Sequence, residues 1–111
     1  MAFDEDLANR LRELLAHERG VTKKRMFGGL AFLVDGKMAV SASRLGGILV
    51  RVEPREADRL LSRAQVGPFE MRGRALDGWL RVDADGVGTK RQLEPWVARG
   101  VAYARSLPAK T

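Results

Sequence analysis

The sequence has one histidine, His17, and no cysteine, so chemistry that needs a pair of imidazoles or a thiolate is excluded at the outset. A general base needs a partner that orients it and a substrate proton within reach. His17, set between Ala16 and Glu18 and off the leucine stripe of its segment, is expected to be a solvated ring. Ser41, Ser43, Ser62 and Ser106 occur without a G-x-S-x-G elbow, which leaves serine hydrolysis unsupported. Asp83-Ala84-Asp85-Gly86 offers two ligand-like spacings of a calcium loop but lacks the remaining oxygen ligands and the distal glutamate. It reads as a turn that uses aspartate for local hydrogen bonds. Gly28-Gly29 and Gly46-Gly47 match neither a P-loop nor G-x-G-x-x-G, and are expected where the backbone bends or passes close to a neighbour. No catalytic residue, metal ligand or cofactor is assigned, and the chain is expected not to be an enzyme.

Charge gives a second line of chemistry. Twenty basic residues against 14 acidic ones leave a formal charge of +6, which raises nucleic-acid binding as a reading. Fifteen of the 20 are arginine, a bias that a GC-rich genome gives to any protein. The surplus lies in two blocks, 20–34 and 89–111, and its nucleic-acid contacts would be Lys23, Lys24 and Arg25 together with Lys90, Arg91 and Arg99. No basic tail and no stripe of Lys and Arg at helical spacing accompanies them. Arg72 and Arg74 around Gly73 could hold an anion, although they read more simply as exposed loop residues.

The elements that must carry these groups are set by periodicity. Asp4 stands as an N-cap ahead of Leu7, Leu11, Leu14 and Leu15, which predicts an amphipathic helix over 5–19, with Gly20 as its left-handed C-cap. Leu30 to Val34, Asp35-Gly36 and Lys37 to Ser41 spell a hairpin, since a type I′ turn needs positive φ at both central positions. A third strand is expected over 48–52. Pro54, favoured at a first helical position, opens a short helix over 54–64 that Gly67-Pro68 breaks. An extended stretch from Phe69 follows, then a strand over 79–83 with Trp79 and Arg81 opposite Leu80 and Val82.

Thr89 and Gln92 form a capping box, and Leu93, Trp96, Val97, Val101 and Ala104 predict a final helix over 90–106 in which Trp96 anchors the core. Pro95 is placed close enough to the N-terminus for its missing amide to cost little. The expected fold is α+β and two-layered, an antiparallel five-stranded sheet with helices on one face in the order α-β(3)-α-β(2)-α. At 111 residues and 45% hydrophobic content the chain fits one domain, 1–111. Having no long apolar run and no basic-then-apolar N-terminus, it is expected to be soluble and cytoplasmic, without a membrane partner.

At Lys24-Arg25-Met26-Phe27-Gly28-Gly29-Leu30-Ala31-Phe32, followed by Asp35-Gly36-Lys37-Met38, the sequence resembles the N-terminal domain of the TfoX/Sxy competence-regulator family. The likeness continues through Gly47 to Val52, Pro68-Phe69, Gly78-Trp79 and Leu93-Glu94-Pro95-Trp96-Val97. The motif positions are Lys24, Met26, Phe27, Gly28, Gly29, Gly36, Trp79 and Trp96. The resemblance implies a secretion-chaperone-like two-layer domain and a bacterial transcription regulator of competence acting through protein contacts. It offers no catalytic residue. Full-length members carry a second, helical domain, so a stand-alone N-terminal domain is expected here, with a protein partner and a homodimer as the expected assemblies.

Overall fold

A computed structural model describes residues 3–26 and 28–108. Among them, six strands form one antiparallel sheet and three α-helices lie against it. In chain order these are α1 (Glu5–Leu15), β1 (Val21–Met26), β2 (Gly29–Val34), β3 (Lys37–Ala42), β4 (Ile48–Arg51), α2 (Pro54–Leu60), β5 (Val66–Met71), β6 (Arg74–Val82) and α3 (Lys90–Ser106), with a 3-10 turn at Ala84–Gly86. The spatial order is β1-β2-β3-β4-β6-β5. The α+β class and the two layers are as expected, with six strands in place of five.

The extra strand is β1, which contains the basic triplet. Lys23, Lys24 and Arg25 pair with Phe32, Ala31 and Leu30, and four of the strand's six residues are exposed. As an edge strand it is held by its backbone ladder and needs no apolar alternation, so side-chain patterning does not reveal it. Gly67-Pro68, expected to break a helix, lies inside β5 at the other sheet edge, where a missing amide is tolerated. The second helix accordingly stops at Leu60, with Leu61 as its C-cap. The first helix also ends early, at Leu15 with Ala16 as C-cap. Gly20 does adopt φ +72, but in the entry to β1, where its carbonyl accepts a hydrogen bond from the Asp35 amide at 3.0 Å. The type I′ turn forms as expected, with Asp35 at φ 52 and Gly36 at φ 82.

One core joins the helices to one face of the sheet. Leu7, Leu11 and Leu15 of α1, Ala57 and Leu60 of α2, and Leu93, Trp96, Val97 and Val101 of α3 pack on Phe32, Val34, Val40, Val50, Leu80 and Val82. Trp96 is 4% exposed, the core anchor its spacing implied. The capping box of α3 is formed in both directions, Gln92 N to Thr89 Oγ1 at 3.1 Å and Thr89 N to Gln92 Oε1 at 3.0 Å. Pro95 lies in the second turn, past the four amides that need no intrahelical acceptor, so the Arg91 carbonyl lacks its usual donor four residues on. Packing of the apolar stripe, not the ladder at that point, carries the helix.

The opposite face of the sheet carries a second, smaller cluster. Ala31, Met38 and Leu49 are buried at its centre, with Met26, Leu33, Phe69 and Trp79 half-buried around them. Every member comes from a strand, and among the described residues no helical one takes part. Met38 reaches this face because the register shifts between Phe32 and Leu33, an irregularity that re-aims side chains along β3.

Candidate functional site

Outer sheet face and arginine cleft

The motif positions separate into two kinds once placed in the fold. Gly28, Gly29 and Gly36 serve the backbone. A Cβ at Gly29 would stand 2.2 Å from the Ala42 carbonyl oxygen, and one at Gly28, already at φ +76, would meet the Arg44 side chain at 2.4 Å. Gly47 of the second glycine pair is as crowded, with Val82 O at 2.0 Å from its Cβ position. Both pairs thus mark bends and close approaches. Met26 and Trp79 belong to the outer-face cluster and Trp96 to the main core. Phe27 lies outside the described residues.

On the outer face, Phe69 and Trp79 meet with ring centroids 6.1 Å apart. The Arg51 guanidinium stands 5.3 Å from the Trp79 centroid and 5.5 Å from that of Tyr103, a cation–π arrangement that holds the arginine over the edge of the patch. Directly paired residues of antiparallel strands share a face. Lys24 opposite Ala31, Arg51 opposite Trp79 and Arg81 opposite Leu49 therefore distribute three cations among the apolar side chains. Arg81 is paired with Asp83 at 3.0 Å. That contact also corrects the reading of the 83–86 turn: the Asp83 side chain makes no cap bond, and its carbonyl accepts from Gly86 N at 2.8 Å.

The basic residues do not form one surface. Lys23, Lys24 and Arg25 occupy the β1 edge and alternate between faces, with Arg25 lying 5.8 Å from the Phe3 centroid. Lys90 stands beside α1 with Arg10, Glu13 and Leu14. Arg91 and Arg99 lie near the β5 edge, lining a cleft of about 370 Å³ with Arg63, Gln65, Val66, Val82 and Trp96. Arg63 was not singled out by the sequence, because only the α2–β5 connection brings it to α3. Arg63 and Arg99 both lie over the Trp96 indole, at 5.6 and 4.9 Å from its centroid. Arg99 Nε faces Glu56 at 3.7 Å, whereas its Nη1 is buried without a hydrogen-bond partner.

His17 is exposed in the turn after α1. Among the described residues no group of three or more His, Asp or Glu is placed to hold a metal, and no helix is long and apolar enough to cross a membrane.

Fold and site together define a two-layer α+β module with a second apolar cluster on the sheet face opposite the helices and an arginine-lined cleft. The chain belongs to the TfoX N-terminal domain family, whose sequence model matches residues 13–104. That span runs from within α1 almost to the end of α3. Searches of curated proteins and of solved structures return no match.

Proposed function

We propose that this TfoX-type regulatory module is noncatalytic and acts on transcription through protein contacts, made by the outer sheet face with a partner whose apolar surface is bordered by carboxylates. The observation that carries the reading is the half-buried set of Met26, Leu33, Phe69 and Trp79 around the buried Ala31, Met38 and Leu49, a cluster to which no helical residue belongs among those described. The part of that apolar surface still in water, on the four half-buried side chains, gains free energy when a partner covers it. Lys24 and Arg51 within it, neither in an ion pair among the described residues, favour an acidic border on the partner. A second copy would set like charges against one another, on a chain already at +6.

Light scattering on the purified chain should give the monomer mass of 12.3 kDa. A photo-crosslinking residue at Leu33 should capture a partner that, once purified, binds the chain with a Kd that rises with salt. Leu33→Lys should abolish that binding while leaving the circular dichroism spectrum unchanged. A stable dimer, or partner binding indifferent to Leu33→Lys, refutes the reading. Binding of duplex DNA that weakens when Lys23 and Lys24 are neutralised would favour the nucleic-acid alternative.

A further inference from the structure

The cleft between α3 and the ends of β5 and β6 gathers three arginines whose charge the protein does not balance. Arg63, Arg91 and Arg99 line it, and among the described residues the only carboxylate paired with any of them is Glu56, on Arg99 Nε. Arg63 and Arg91 have no ion-pair partner among the described residues. Two of these cations share one indole, Trp96, which attracts each but does nothing to reduce their mutual repulsion. Arg99, which lines the cleft, has its Nη1 buried without an acceptor, a state that costs free energy. Gln65 adds a neutral amide to the lining, and Val66, Val82 and Pro95 supply apolar walls.

We infer that this cleft binds the phosphate group of a small phosphate monoester, with Arg63, Arg91 and Arg99 as its ligands. Three guanidinium groups less the Glu56 charge leave a site of about two positive charges, matching a dianion, and the planar donor fork of arginine suits a phosphate oxygen pair. A nucleic-acid backbone is the poorer match. Each phosphodiester carries one charge and needs a basic track to follow, whereas of the other candidate nucleic-acid contacts Lys23, Lys24 and Arg25 lie at the opposite edge of the sheet and Lys90 stands beside α1. A ligand that stacks an aromatic base is also disfavoured, because Trp96 is 4% exposed and its indole already carries two guanidinium groups.

The test is a titration of the full chain, at constant ionic strength, with inorganic phosphate, methyl phosphate, dimethyl phosphate and a single-stranded oligonucleotide. It is read on the Trp96 indole N–H resonance, assigned with Trp79→Phe. Phosphate and methyl phosphate should shift that resonance saturably with Kd values in the millimolar range and leave the Trp79 resonance in place. Arg63→Gln and Arg91→Gln, both at exposed positions, should each weaken binding by about tenfold, the loss expected for one charge-assisted hydrogen bond. Lys23→Gln should change nothing. Four results would overturn the inference: no saturable shift with either phosphate, equal response to dimethyl phosphate, tighter binding of the oligonucleotide than of methyl phosphate, or affinity unchanged in both arginine variants.

Discussion

Replacing Gly29 by alanine should destabilise this protein more than replacing Gly36, although both glycines belong to the family motif and only Gly36 has positive φ. The Cβ that Gly29→Ala introduces would lie 2.2 Å from Ala42 O, 3.2 Å from Ala42 C and 3.4 Å from Arg44 N. An unstrained carbon–oxygen approach in a sheet is roughly 3.3 Å, so the backbone of β3 must retreat by about 1 Å. A retreat of that size carries adjacent ladder bonds beyond hydrogen-bonding distance, where Leu30 pairs with Ala42. Overpacking of this kind costs about 1–3 kcal/mol, and one or two weakened ladder bonds add about 1 kcal/mol each. We therefore expect about 3–4 kcal/mol for Gly29→Ala. At Gly36 nothing lies within 4 Å of the added Cβ, and only the left-handed conformation is penalised, at about 1–2 kcal/mol. For a chain of 111 residues, where 1 kcal/mol moves Tm by about 4 °C, the drops should be about 12–16 °C and about 4–8 °C. Scanning calorimetry measures both, and urea unfolding checks that the m-value is unchanged. A Gly29→Ala protein as stable as Gly36→Ala would show that β3 yields freely there, and the steric account of the motif would be wrong.

Trp96→Ala should cost about 3–5 kcal/mol, since the ring is 4% exposed within the main core, and the urea midpoint followed by Trp79 fluorescence should fall accordingly. Thr89→Ala removes the hydroxyl that accepts the Gln92 amide at 3.1 Å and should lower stability by about 1 kcal/mol, measured by thermal unfolding. Lys37→Met should leave the sheet intact but loosen the end of α3. The Lys37 ammonium, on a residue 8% exposed, donates to Leu107 O at 2.9 Å, and its loss should appear as faster amide exchange over the last turn of the helix.

What could be read from the sequence was whatever local rules alone decide. The Asp35-Gly36 turn, the Thr89/Gln92 box and the stripe through Leu93, Trp96 and Val101 each depend on a few neighbouring residues, and each formed as expected. The β1 strand did not announce itself because its register is set by β2 and its side chains are free to be Lys-Lys-Arg at a sheet edge. Pro68 misled for a related reason: it marks a boundary in a helix or a central strand, but sits without penalty in the edge strand β5. Of the site, Trp79 could be assigned to the outer face from alternation with Leu80, and Arg91 and Arg99 could be flagged as basic. Their meeting with Arg63 depends on how α2 hands the chain to β5, and no local pattern encodes that.

Both exposed edges of the sheet are protected against strand addition, and this shapes what a partner can do. At β1 the edge carries Lys23, Lys24 and Arg25, charges that would be brought together by edge-to-edge pairing of two copies. At β5, Pro68 has no amide to donate and the register shifts between Pro68 and Glu70, which breaks the ladder a new strand would extend. A partner is therefore directed away from backbone pairing and onto the side chains of the outer face. Recognition of that kind depends on a few central groups. A charge placed at Leu33, beside Met38 in the β2–β3 register, should abolish binding, whereas Lys23→Thr at the edge should leave it within about twofold, as expected of a rim residue. The reverse pattern would mean that the partner joins the sheet through β1.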